Sequence, residues 1–253
     1  MEMIYKIEEA GKTWIFHWIV LMLGALKDID LSQRVDVCFD REDFNSYQKE
    51  SFEILSDVIN VVPNTCDWVL LPSVKPLDFS NNSGRPLVDY GVYYFLRELF
   101  LTRVNNNFDT TEYDKIYICR GKSHLCEGNR EDNNARRRQI VNENEVVESL
   151  LEIGIKPIFF EDYTISEKIQ IMNNASLVVA PQSGGLTFTL FANQNADIVE
   201  IYPPNPHQYC DQYIDVCRAL NIPFRRFTEV EKVDIYDNML VDTEKLIKFI
   251  ITK

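Results

Sequence analysis

The run Leu177–Thr187, LVVAPQSGGLT, is the sharpest chemical feature of the chain: an apolar β-branched stretch passes through Ser-Gly-Gly into a second apolar stretch with helical spacing. A strand that enters a helix through glycines gathers backbone N–H groups and the positive end of a helix dipole at one spot. That suits a diphosphate, with the Ser183 and Thr187 hydroxyls as added donors. The same residues also read as a plain strand-to-helix turn whose glycines serve its dihedrals. Neither the Gly-Lys-Ser/Thr of a P-loop nor the G-x-G-x-x-G of a dinucleotide fold is present.

A second feature is charge. Between Arg120 and Arg138 stand six basic residues, Arg120, Lys122, Arg130, Arg136, Arg137 and Arg138, against three acidic ones, in a chain of net charge -13. Arginine forks bind phosphate oxygens in pairs, and Arg120 follows an apolar run read as a strand, the place where α/β folds bind ligands. A basic run is also commonly a solvated face, the alternative for Arg136 and Arg137. Glu200 closes the apolar run Ile198–Ile201, where an ionisable group needs a partner; a ribose hydroxyl pair would supply one, and a surface-facing position on an edge strand is the alternative. His17, His124 and His207 are the whole supply of imidazole bases, too dispersed for a zinc site. His17 lies among Trp14, Phe16 and Trp18, so a hydrogen-bonded core role competes with that of a base.

The elements that must hold these residues come from periodicity. From Ile116 onward, short strands at 116–119, 157–160, 177–179, 198–201 and 223–227 alternate with helical stretches at 138–153, 166–173, 185–192 and 208–220, with Ser166 before Glu167 as a start signal. That alternation predicts a parallel sheet covered on both faces. Upstream, helices at 13–26, 47–59 and 87–101 and strands at 35–39 and 68–71 read as a smaller, less regular α/β lobe. The stretches 72–86 and 120–134 read as loops, the second lying over a site, and 102–114 as a linker. The chain is thus α/β, with two Rossmann-like lobes, 1–110 and 111–253, facing one another across a cleft.

Composition bounds the partners. At 253 residues and 45% apolar content the chain can bury one large or two small cores, and its acidity argues against nucleic acid as the main partner. The longest apolar run, Trp14–Leu26, has thirteen residues, short of the about 20 that span a membrane. Glu2, Glu8 and Glu9 ahead of it are unlike a secretory leader. Six cysteines without C-x-x-C pairs fit a reducing, cytoplasmic setting.

Taken in order, these segments resemble glycosyltransferase family 61, which includes plant xylosyl- and arabinosyltransferases and animal protein O-GlcNAc transferases. The likeness runs from Ile116 to about Phe227: IYICR matches the family's strand ending in Ser-Arg at Arg120, RQIVNE its Arg-x-x-x-Asn-Glu at Arg138, Asn142 and Glu143, and VEIYP its Glu-Ile-x-Pro. The family's His-Gly-Ala-Gly-Leu-Thr turn stands here as Gln182, Ser183, Gly184, Gly185, Leu186 and Thr187, and Phe188 replaces a common Asn. A Gln can donate a hydrogen bond but cannot take a proton. TWIFHWIVLMLGAL is similar, through His17, to a short upstream family segment.

The resemblance implies a compact glycosyltransferase-B architecture, inversion at the anomeric carbon, a nucleotide-diphosphate sugar, UDP-linked, as donor, a glycan or glycoprotein acceptor, and no cofactor or metal. No Asp-x-Asp stands at a strand end in the second half, in keeping with the last point. The donor would lie on Arg120, Arg138, Gln182, Ser183, Gly184, Gly185, Leu186 and Glu200, with both arginines on phosphate and Glu200 on ribose. His17 is the expected catalytic base, with Asp89 or Asp40 as the fallback. Two other readings compete: a non-catalytic nucleotide-binding scaffold with a degenerate site, favoured by Gln182, and a different Rossmann-type enzyme such as a methyltransferase, disfavoured because no early glycine-rich turn is present.

Overall fold

The computed structural model describes residues 3–8, 14–64, 67–74, 88–120, 138–204 and 211–252. Most of both expected loops, the basic residues Lys122, Arg130, Arg136 and Arg137, the histidines His124 and His207, and Cys66, Cys126 and Cys210 lie outside the described residues. The chain divides into two compact units, Met1–Asn107 with Thr164–Ile169, and Phe108–Tyr163 with Gln170–Lys253.

Unit 1 is built on four parallel strands, β1 Ile4–Ile7, β2 Val35–Cys38, β3 Ile59–Val61 and β4 Trp68–Leu71, in the order β3-β2-β1-β4. β1 is a strand the periodicity missed, and it is central. The stretch expected as one helix at 13–26 coils as a π-helix over His17–Met22 and then a 3-10 helix over Leu23–Asp28. Gly24 is required there by a close approach: a Cβ would stand 2.8 Å from Val92 Cγ1 and 3.1 Å from Val74 Cγ2. Helix α1, Ser46–Ile54, opens on a reciprocal Asn45–Gln48 capping box and stops five residues short of its expected end. Ile59 instead begins β3. Trp18, Phe39, Phe44 and Phe52 pack ring against ring, and the Trp18 indole N–H donates to Ser51 Oγ at 3.2 Å. Helix α2, Tyr90–Leu101, buries Val92, Tyr93, Leu96, Leu99 and Phe100.

Unit 2 carries five parallel strands, β5 Lys115–Ile118, β6 Lys156–Ile158, β7 Leu177–Pro181, β8 Asp197–Ile201 and β9 Phe224–Phe227, ordered β6-β5-β7-β8-β9. Helices α3 Glu143–Glu152, α4 Ile165–Asn174, α5 Gln212–Leu220 and α6 Thr243–Ile251 accompany it, the first turn of α4 grouping with unit 1. The start of α4 is set by Thr164 and not by Ser166: Thr164 Oγ1 accepts the Glu167 N–H while the Glu167 carboxylate accepts the Thr164 N–H at 2.7 Å. Alternation along the strands divides the faces. Tyr117, Val179, Val199, Ile201 and Phe227 pack with Val146 and Leu150 of α3 and Leu246 and Ile250 of α6. On the other face lie α5 and Gly184–Phe191, a 3-10 helix where periodicity predicts an α-helix. A hairpin the periodicity also missed, β10 Val230–Lys232 with β11 Met239–Val241, precedes α6.

Candidate functional site in unit 2

In unit 2 the chain leaves the first strand, β5, for an edge strand on one side, and the third strand, β7, lies on the other side of β5. Such a reversal of strand order opens a crevice beyond the carboxyl ends of the two strands, the usual ligand position in this architecture. Arg120 stands past the end of β5 and Gln182 past the end of β7. The Arg120 guanidinium donates from Nη1 to the Gln182 carbonyl at 2.6 Å. Arg138 donates from Nη1 to the Gln182 side-chain Oε1, so one residue holds both cations.

The backbone of Arg120 is fixed from behind. Its N–H donates to Glu143 Oε1 at 3.0 Å, and the same oxygen accepts the Tyr117 hydroxyl at 3.1 Å. Burial, with the Glu143 charge, pushes the Tyr117 phenol well above its ordinary range, so it remains a neutral donor. Burial and, next, the neighbouring Arg138 charge pull the Arg120 guanidinium down to about 10. It stays charged at neutral pH, and two like charges held together under burial favour an anion between them. Arg138 itself adopts a left-handed backbone, φ 58°.

Of the two readings of the turn after β7, the dihedral one does not hold. Neither Gly184 nor Gly185 is at positive φ, so dihedral freedom is not why glycines stand there. Gly185 is needed for contact: a Cβ would meet Ile118 Cγ2 at 3.1 Å. Gly184 is exposed, Ser183 half-buried and extended, and these two line the open end of the turn. Leu186 is wholly buried and its N–H is taken by the Ser183 carbonyl at 3.1 Å, which removes it from the ligand-facing set. Thr187 is 1% exposed, and its buried hydroxyl, beside Tyr213, has no hydrogen-bond partner among the described residues. Gln182 is 3% exposed; with both oxygens on arginines, its side-chain amide N–H₂ is the group left to donate.

Glu200 departs most from the reading of its surroundings. β8 is an interior strand, not an edge, and Glu200 is fully buried. Where a ribose was expected as its partner, the structure supplies Arg226, directly opposite on β9: Nε donates to Glu200 Oε2 at 2.7 Å and Nη1 to Asp211 Oδ1 at 2.7 Å. The Arg226 guanidinium also lies 4.0 Å over the Tyr202 ring. Glu200 Oε1 has no partner, and burial, outweighing the pull of Arg226, pushes the carboxyl up to about 7. Arg226 and Tyr213 escaped sequence reasoning. The available signal was the strand-embedded Arg226, since an arginine between phenylalanines at 224–227 offers a cation to a carboxylate on the neighbouring strand.

The expected bases lie in unit 1. His17 begins the π-helix, half-buried, its ring edge-on to Trp14 at 5.1 Å between centroids, and its buried Nδ1 has no hydrogen-bond partner. Burial lowers its pKa, so the imidazole is neutral at pH 7. Of the two readings of this residue, a satisfied core histidine is the one its environment disagrees with. π-Helical turns, moreover, concentrate at functional positions. Asp89 is the exposed N-cap of α2, with Oδ1 accepting the Gly91 N–H at 2.6 Å, and so has a structural task. Asp40 is paired with Lys6 at 2.5 Å. Glu8, at the end of the unread strand β1, accepts the Ser73 N–H at 3.3 Å and is a further carboxylate at a strand end. Among the described residues no His, Cys, Asp and Glu cluster is spaced to hold a metal ion, and no helix is long and apolar enough to cross a membrane.

Arg120 and Arg138 thus meet on Gln182 at the carboxyl ends of β5 and β7, where parallel α/β sheets bind their ligands. The chain belongs to glycosyltransferase family 61, whose model, described as Glycosyltransferase 61, matches residues 15–199, and it is a glycosyltransferase. The match takes in His17, Arg120, Arg138 and the turn after β7 and stops before Glu200. Comparison with curated proteins gives no match. Among solved structures the chain is similar to a dodecameric iron-containing heptosyltransferase, TibC, in complex with ADP-D-beta-D-heptose, at 10% identity over 96% of this chain and 67% of that one, with a TM-score of 0.47.

Proposed function

We propose that this glycosyltransferase moves a pentose or hexose, such as xylose or N-acetylglucosamine, from a UDP-linked donor to a hydroxyl of a glycan or glycoprotein, with inversion and without a divalent ion. The observation that carries the reading is the convergence of Arg120 and Arg138 on Gln182 at the carboxyl ends of β5 and β7. In the reaction the acceptor oxygen attacks the anomeric carbon, the bond from that carbon to the diphosphate oxygen breaks, and the acceptor proton passes to His17. The negative charge that grows on the departing diphosphate is offset by the two guanidinium groups, the task a metal ion performs elsewhere. Ser183, Gly184 and the Gln182 amide complete the anion's surroundings, while Glu200 holds Arg226. The buried free thiols Cys38, Cys119 and Cys217 support placing the enzyme in the cytoplasm.

The experiment is a transfer and hydrolysis assay over a panel of nucleotide sugars, in EDTA, with wild type and His17→Ala. Turnover of one donor in EDTA, lost in the variant while nucleotide binding persists, supports the reading. Turnover that His17→Ala leaves intact removes the base, a requirement for divalent ion removes the electrostatic role of the arginines, and binding without turnover of any sugar favours the scaffold alternative.

A further inference from the structure

Arg138 is poorly placed by its own segment. It has a left-handed backbone without being glycine, and it precedes α3 by five residues, so no helix or strand fixes it. What fixes it is the β10–β11 hairpin, which lies beyond the family match. The Arg138 N–H donates to the Tyr236 carbonyl at 3.0 Å, and the Gln139 N–H to the Asn238 side-chain Oδ1 at 2.8 Å. The Met239 N–H donates to the Gln139 carbonyl at 2.7 Å and the Val141 N–H to the Met239 carbonyl at 2.8 Å. Asn142 then closes the ladder with its side chain, Oδ1 accepting the Val241 N–H at 3.1 Å and Nδ2 donating to the Val241 carbonyl at 2.9 Å. Residues 138–142 are thus laid along β11 as an extra strand, anchored by Ile140 and Met239 in the core.

The turn of the hairpin is itself held rigid. Asp234 Oδ1 accepts the N–H groups of Tyr236 and Asn238 at 2.9 and 3.2 Å, and its Oδ2 accepts Asn238 Nδ2 at 2.8 Å. Asn238 therefore spends its amide nitrogen on the turn and its oxygen on the residue beside Arg138. A side chain with both ends used in this way transmits the geometry of one segment to the other.

We propose that the hairpin is the positioning element of the anion site, with Asn238 the positioning residue that holds Arg138 on the donor diphosphate; this rests on the diphosphate reading above. Asn238 touches no substrate and acts through Arg138 alone. The test is a double-mutant cycle on nucleotide affinity, by calorimetric titration of UDP, GDP and ADP into wild type, Arg138→Ala, Asn238→Ala and the double variant. The expected result is a loss of tenfold or more for Arg138→Ala, of about threefold to tenfold for Asn238→Ala, and no further loss when Asn238→Ala is added to Arg138→Ala. General damage to the fold would not vanish on the Arg138→Ala background. Should Asn238→Ala fail to fold, Asp234→Asn, which keeps the shape of the turn and sets two amide nitrogens against each other, gives the same pattern at smaller size. Full affinity in the Asn238 or Asp234 variant, or losses that add, would overturn the proposal. Full affinity in Arg138→Ala would instead refute the diphosphate reading beneath it.

Discussion

The sharpest consequence of the site's construction concerns Glu200 and pH. Its carboxyl sits at about 7 in the folded protein against 4.5 ordinarily, because complete burial penalises the charged form more than Arg226 favours it. Between those two values the folded protein holds a proton that the unfolded chain has released, so stability falls as pH rises through the interval and stays low above it. At about 1.4 kcal/mol per pH unit the loss amounts to about 3 kcal/mol, complete above pH 7. Glu200→Gln keeps the shape and an oxygen for Arg226 Nε but does not titrate. The assay is urea unfolding of wild type and variant from pH 5 to 8, followed by far-UV circular dichroism, because Trp14, Trp18 and Trp68 all lie in unit 1 and their fluorescence reports that unit. The stability of Glu200→Gln relative to wild type should rise by about 2.5 kcal/mol from pH 5 to pH 8, the first part of the loss lying below pH 5 and other titrations cancelling in the difference. A flat difference, or one in which wild type gains on the variant as pH rises, would mean that the pair is ionised throughout and the burial argument is wrong.

Two other outcomes follow from unit 1. Because burial lowers the His17 pKa below its ordinary 6.5, the base form persists into mild acid, and the acid limb of the kcat/KM profile should lie below that value; a limb centred above it would point to another group. Gly24→Ala would drive a methyl group into Val92 and Val74, at 2.8 and 3.1 Å, and should cost about 1–3 kcal/mol, read as a lowered thermal midpoint. An unchanged midpoint would show that helix α2 gives way easily.

Unit 2 was legible where strands are apolar and largely buried: β7 is the run LVVAP and β8 carries Ile198, Val199 and Ile201, so that the carboxyl ends of both could be named from sequence. β1 was not, since IYKI offers four residues with a lysine among them, and only its neighbours on both sides make it a strand. The arginine pair was found through residue type and position. The role of Gln182 in holding both guanidinium groups was not, because it depends on β5 and β7 becoming neighbours although 58 residues of chain separate Ile118 from Leu177. The hairpin that places Arg138 escaped for a related reason: VEK and MLV are three-residue strands with weak alternation, stabilised by a segment nearly a hundred residues earlier. The Ser-Gly-Gly turn falls where the sequence places it, and of the two readings of its glycines the dihedral one fails, since contact with Ile118, rather than a left-handed backbone, is what excludes a side chain at Gly185.

The claim on which the rest depends is that a donor diphosphate binds to the arginines at the ends of β5 and β7, and calorimetric titration of nucleoside diphosphates into wild type and Arg120→Ala tests it most directly. Charge-assisted hydrogen bonds of about 1.5–3 kcal/mol predict that wild type binds one of them and that the variant binds it tenfold or more weakly. Equal affinity in the two proteins would contradict the account and move the phosphate site elsewhere.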